Sequence, residues 1–181
     1  LNLLIEANSL IGIVGPSGSG KSTLIDILLG LIEPNEGHLK IDEVIIDNHN
    51  RRSWQNSIGF VAQSIFLSEG TIAENVAFGV PKEQIKLNQV EQALELAHLL
   101  EFARNLEQRQ RIGIARALYH KAEVLIFDEA TSSLDGITEK LIMEAIHDFS
   151  GKKTIILIAH RLKTIEKCDN IFFIDNGQIV D

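Results

Sequence analysis

Nine residues, Gly15-Pro16-Ser17-Gly18-Ser19-Gly20-Lys21-Ser22-Thr23, constrain this chain more than any others. They fill every required position of G-x-x-x-x-G-K-[ST], the pattern of a phosphate-binding loop. The apolar run Leu10-Ile11-Gly12-Ile13-Val14 reads as a buried strand entering the loop, and Ser22 to Gly30 as a helix leaving it. A strand, a Gly-rich turn and a helix N-terminus together aim backbone N–H groups and the positive end of a helix dipole at an anion. In that setting the reading as a plain Gly/Ser-rich surface turn carries little weight. The chain is expected to bind a nucleotide.

Composition narrows the class. At 181 residues the chain is expected to be one domain with a sizeable core. A net charge of −8 argues against a dedicated nucleic-acid surface. No uninterrupted apolar run approaches the roughly 18 residues of a membrane-spanning helix. The start, Leu-Asn-Leu-Leu-Ile-Glu-Ala-Asn, lacks the basic region and cleavage site of a signal peptide. It lies so close to the first core strand that the domain is expected to begin before Leu1. The one cysteine, Cys168, excludes an internal disulfide, fits a reducing compartment and reads as a small packed residue.

Pro and Gly punctuate the rest. Pro34-Asn35-Glu36-Gly37 is a turn, followed by a short hairpin from His38-Leu39-Lys40-Ile41 and Val44-Ile45-Ile46. Ile58-Gly59-Phe60-Val61, Val124-Leu125-Ile126-Phe127 and Thr154-Ile155-Ile156-Leu157-Ile158 read as strands. Helical patterns cover Ile72 to Ala77, Val90 to about Phe102, Ile112 to Tyr119, and Ile137 to Phe149. Ile171 to Ile174 and Gln178 to Val180 flank Asn176-Gly177, a strong type I′ hairpin signal. Strands alternating with helices predict an α/β fold with a mainly parallel sheet covered on both faces. The helix-rich stretch at about 71–119 is expected to be a subdomain inserted into that core. Arg51-Arg52 reads as a solvated turn and Trp54 as packing. His38, His49, His98, His120 and His147 read as surface or packed histidines.

Val124 to Phe127 runs into two acids, Asp128 and Glu129. At the C-terminal end of a parallel strand, they would stand beside the phosphate loop, where ligands of open sheets bind. An Asp there can hold Mg²⁺ through water while Ser22 supplies a hydroxyl. Without the phosphate loop upstream, a strand ending in Asp-Glu would be weak evidence.

The order of motifs now resembles a family. Phosphate loop, Gln63, Gln108 to Leu118 (Q-R-Q-R-I-G-I-A-R-A-L), Asp128 to Asp135 (D-E-A-T-S-S-L-D) and Ala159-His160-Arg161 look like the ATPase domain of ABC transporters. Phe60 to Gly79 is similar to the exporter version, whose ATPase is fused to a membrane domain. The resemblance implies a P-loop NTPase core with an N-terminal antiparallel β subdomain and an inserted α-helical subdomain. It implies ATP and Mg²⁺ as cofactors. Lys21 would grip the β- and γ-phosphates, Ser22 the magnesium, and Thr23 the α- and β-phosphates. Gln63 would touch the metal or attacking water and sense the transmembrane domain. Asp128 would hold the hydrated metal, Glu129 would be general base, and His160 would bind the γ-phosphate as a switch. Asp135 would lie at the seam of a head-to-tail dimer with a second ATPase domain. No nucleic-acid partner is implied. The domain would work on the cytoplasmic side of a membrane, as in a bacterial inner membrane.

The chain departs from the family pattern in three places. The aromatic residue that stacks on adenine, upstream of the loop, does not occur between Leu1 and Gly15. Leu-Ser-Gly-Gly, which should precede Gln108, is missing, and the text reads Glu101-Phe102-Ala103-Arg104-Asn105-Leu106-Glu107. Either the segment is truly lacking, or an omitted loop has had its flanks joined; the faithful run from Gln108 onward favours the second. Glu43 sits where Gly is common. An exporter ATPase is the leading expectation. A nucleotide-binding module that cannot hydrolyse is the alternative, and a soluble ABC-type ATPase of DNA repair is disfavoured by the acidic balance.

Overall fold

The computed structural model describes residues 1–97, 108–130, 136–159 and 162–180. The chain opens with β1 (Leu10–Val14), α1 (Lys21–Leu28), β2 (Lys40–Ile41), β3 (Val44–Ile45) and α2 (Arg51–Asn56). It continues through β4 (Ile58–Val61), α3 (Ile72–Val76), α4 (Leu87–Leu96) and α5 (Gln108–Tyr119). The last third holds β5 (Val124–Asp128), α6 (Gly136–Asp148), β6 (Thr154–Ile158), α7 (Leu162–Ile165), β7 (Asn170–Asp175) and β8 (Gln178–Ile179).

Three strands, β1, β5 and β6, are nearly continuous apolar runs, the mark of parallel strands buried on both faces. They form the middle of one six-stranded sheet in the order β4-β5-β6-β1-β7-β8. All neighbours are parallel except β7 and β8. That last hairpin turns through Asn176 and Gly177, whose φ values of 47° and 74° are those a type I′ turn requires. Side chains alternate between two apolar layers, as a period of two demands. Leu10, Val14, Leu125, Phe127, Ile155 and Leu157 face the layer that also contains residues of α3 to α6. Ile11, Ile13, Ile126, Ile156 and Ile158 face the layer closed by Ile25 and Leu28 of α1.

The approach of α5 to the sheet is set by small residues. A methyl on Gly59 of β4 would stand 2.7 Å from Ala117 Cβ and 2.8 Å from Leu125 Cδ2. In the same layer, a Cβ on Gly12 of β1 would meet Ile165 Cβ at 2.9 Å and Cys168 Sγ at 3.4 Å. Burial, with Asp169 beside it, pushes the Cys168 thiol up to about 12, so this cysteine is the packed residue expected.

Two features differ from the sequence reading. Arg51-Arg52 opens the helix α2 rather than a turn. Its six residues carry one buried apolar side chain, Trp54, so no helical stripe announces it. The helix is held from outside: Trp54 Nε1 donates to the Leu28 carbonyl at 2.7 Å, one of the carbonyls that the end of α1 leaves open. The early hairpin is shorter than expected, two residues a side, and turns through Asp42 and Glu43 at φ 45° and 69°. Glu43 thus occupies a left-handed position that Gly would hold more cheaply. Lys40 reaches back to pair with its carboxylate. The part of the predicted helix beyond Ala97, through Phe102, lies outside the described residues.

Helix α3 starts with a capping box. Thr71 Oγ1 accepts from the Glu74 amide at 3.2 Å, while Glu74 Oε2 accepts from the Thr71 amide at 2.7 Å. Lys82 adds an ion pair at 3.0 Å. The Thr71 amide first, then Lys82, hold the Glu74 carboxyl at about 2. A depressed pKa contributes stability above the unfolded value of about 4.3, and that contribution is lost as pH falls through the folded value. In urea titrations the advantage of wild type over Glu74→Gln should be constant above about pH 5 and shrink steadily toward about pH 2. A difference that does not change with pH would show that the carboxylate charge contributes nothing.

Candidate nucleotide-binding site

The loop 15–20 leaves the C-terminal end of β1 and ends at α1, with Gly20 (φ 105°) as its N-cap. Gly15 is required by contact: a Cβ there would lie 2.1 Å from the Ile174 carbonyl oxygen of β7. Gly18 has φ 78° and open space around it. The loop is braced from β7 and β8, because the Gly177 amide donates to the Ser19 carbonyl at 2.9 Å. Within the loop the Ser19 amide donates to the Pro16 carbonyl at 3.2 Å. Lys21 is buried, and its ammonium donates to the carbonyls of Gly15 and Pro16 at 2.8 Å each. Ser19 Oγ is also buried and has no hydrogen-bond partner. A buried hydroxyl without a protein partner, inside a loop rich in amide donors, suits an anionic ligand. Ser22 and Thr23 stand exposed on the first turn of α1.

Parallel strands bring the other candidates to the same edge. Asp128, half-buried, is the last residue of β5 and is in register with Ile158 of β6. Glu129 follows at φ 48°, and its amide still donates to the Ile158 carbonyl at 3.0 Å. Val61 of β4 pairs with Phe127, so Gln63, two residues beyond, comes level with the acids. Gln63 Nε2 donates to Glu129 Oε2 at 2.8 Å. Residues 66 apart in sequence therefore meet at the strand ends. Ser22 hydroxyl, Asp128 carboxylate and Gln63 side-chain amide are hard oxygen donors of the kind Mg²⁺ takes, so the residues present fit that ion.

His160 and Asp135 lie outside the described residues, as does the segment from 98 to 107 that should carry the signature. Gln108 opens α5. Ile174 and Gly177 were missed by the sequence reading. Asn176-Gly177 announced a hairpin, but nothing in the text of the chain says that its tip supports the phosphate loop. Gly15→Ala should abolish nucleotide binding while leaving the far layer of the core intact. Titration with a fluorescent ATP analogue measures this, and unaltered affinity would show that the loop tolerates the displacement.

Among the described residues no helix is long and apolar enough to cross a membrane. Residues 1–132 match the protein family described as ABC transporter. The chain is 39% identical to ABC transporter B family member 29, chloroplastic, of Arabidopsis thaliana, over 99% of its own length and 31% of that protein's. It is 37% identical to the ATP-dependent lipid A-core flippase of Cupriavidus pinatubonensis, over 100% of this chain and 34% of the flippase. Among solved structures, a bacterial Atm1-family ABC exporter with ATP bound superposes with a TM-score of 0.87 at 34% identity, covering 98% of this chain and 34% of that one. The chain thus spans about a third of the length of the curated relatives it matches. The matches run over 196 and 199 residues against a chain of 181, so these relatives hold residues that it does not. Motif order, sheet topology and these likenesses agree: the chain belongs to the ABC transporter family.

Proposed function

We propose that this chain is the domain that binds and hydrolyses ATP in a membrane exporter or flippase, with two such domains closing head-to-tail around nucleotide. The observation that carries the reading is the 2.8 Å contact between Gln63 and Glu129 at the strand ends, beside a complete phosphate loop. Phosphoryl transfer needs charge neutralisation, an in-line water and a group that orients that water. Lys21 and the amides of the 15–20 loop meet the first need at the β- and γ-phosphates. Glu129 meets the last, as general base, in an orientation that Gln63 holds. Ser22, Asp128 and Gln63 would hold Mg²⁺, which supplies Lewis-acid stabilisation of charge on the phosphate oxygens. Thr23 supports the α- and β-phosphates.

His160 as γ-phosphate switch and Asp135 at the dimer seam complete the proposed machinery. The partners are a transmembrane domain and a second ATPase domain, at the cytoplasmic face of the membrane. The family pattern puts a signature segment just before Gln108, and a competent dimer would need it.

The full-length protein in lipid nanodiscs tests this. Lys21→Ala should weaken ATP binding roughly tenfold to a hundredfold, the scale of a lost charge-assisted contact. Glu129→Gln should leave ATP binding in place and lower kcat at least about a hundredfold. Turnover of Glu129→Gln at the wild-type rate would remove Glu129 from the role of base.

A further inference from the structure

Gln63 is exposed and its reach to Glu129 depends on the segment that follows it, residues 64–78. That segment has little regular structure before α3, yet it is anchored at two points to one face of α5. The first anchor is steric. Ile65 lies over Gly113, where a Cβ would meet Ile65 Cδ1 at 2.5 Å and Cγ1 at 2.9 Å. The second is polar and sits three residues further along, the spacing that shares a helix face. Arg116 Nε donates to the Asn75 carbonyl at 2.6 Å and Arg116 Nη2 to Asn75 Oδ1 at 2.9 Å. Asn75 is buried and hands the constraint on: its Nδ2 donates to the carbonyls of Ser68 and Thr71 at 3.0 and 3.1 Å. Its Oδ1 accepts from the Ser68 amide at 3.0 Å. The Arg116 guanidinium also lies 4.8 Å from the centre of the exposed Phe78 ring.

We infer that Gly113 and Arg116 are positioning residues for hydrolysis, forming a seat on α5 that holds the Gln63 segment at the height where Gln63 meets Glu129. The inference rests on the proposed ATPase reading for its kinetic consequence, but not for its structural one. Gly is the poorest non-proline residue for a helix interior, so Gly113→Ala should favour α5 itself. The added methyl meets the far end of one side chain, Ile65, so the relief falls on Ile65 and the segment it anchors rather than on the core. Sub-ångström to ångström misplacement of a positioning group is enough to cost turnover up to about a hundredfold.

The test uses the full-length protein in nanodiscs with Gly113→Ala, Ile65→Ala, the double variant and Arg116→Lys. Gly113→Ala should lower kcat about tenfold or more, with KM for ATP within about twofold of wild type and the melting temperature not lowered. Ile65→Ala alone should lower kcat by loss of the anchor, and because it removes both clashing atoms Gly113→Ala should cost little more in that background, leaving the double variant within about threefold of Ile65→Ala. Arg116→Lys keeps the charge but not the two-point geometry and should lower kcat with the same unchanged KM. Hydrogen exchange of residues 62–70 gives a readout without activity: faster in Gly113→Ala than in wild type, but no faster in the double variant than in Ile65→Ala, with α5 unaltered. Unchanged exchange in Gly113→Ala, or losses in kcat that simply add in the double variant, would overturn the seat. Altered exchange in a protein whose turnover does not depend on Glu129 would instead uphold the seat and overturn the hydrolytic reading.

Discussion

The site depends on the parallel pairing of β1 between β6 and β7. Because β1, β4, β5 and β6 run the same way, every loop that matters leaves from one edge of the sheet. The phosphate loop follows Val14, the two acids close β5, and Gln63 follows β4 by two residues. A single antiparallel strand among these four would send its functional residue to the opposite edge. The two apolar layers that hold the strands in register are therefore also what holds Gln63 at 2.8 Å from Glu129.

Much of this could be read in the chain because each signal was local. Apolar runs of β1, β5 and β6 are contiguous, and the loop motif needs only nine neighbouring residues. Asn176-Gly177 gives its turn type by composition alone. What could not be read is non-local or carried by unpatterned residues. Helix α2 has no apolar stripe and exists because Trp54 reaches the end of α1. The brace from Gly177 to Ser19 joins positions 158 apart, and the tight fit of Gly15 under Ile174 joins positions 159 apart. Gly113 likewise reads as a flaw in a helix until Ile65 is seen against it.

Glycines in this chain divide by physical cause. Gly18 and Gly20 carry backbone conformations that other residues rarely adopt. Gly12, Gly59 and Gly113 have ordinary φ values, and what excludes a side chain is a neighbour within 3 Å. The first group shapes the ligand cradle and the second sets distances between elements that carry functional residues. A substitution in the second group acts at a distance, through the element it displaces. That is why α5, which contributes no residue to the phosphate loop, can still govern where Gln63 stands.

The polar groups of the site satisfy one another. Lys21 donates to the carbonyls of its own loop, and Gln63 donates to Glu129. A buried ammonium left unpaired would cost several kcal/mol, and these internal contacts offset that cost. A ligand of the loop has to compete with these contacts, so its affinity is the difference between two sets of hydrogen bonds rather than the sum of one.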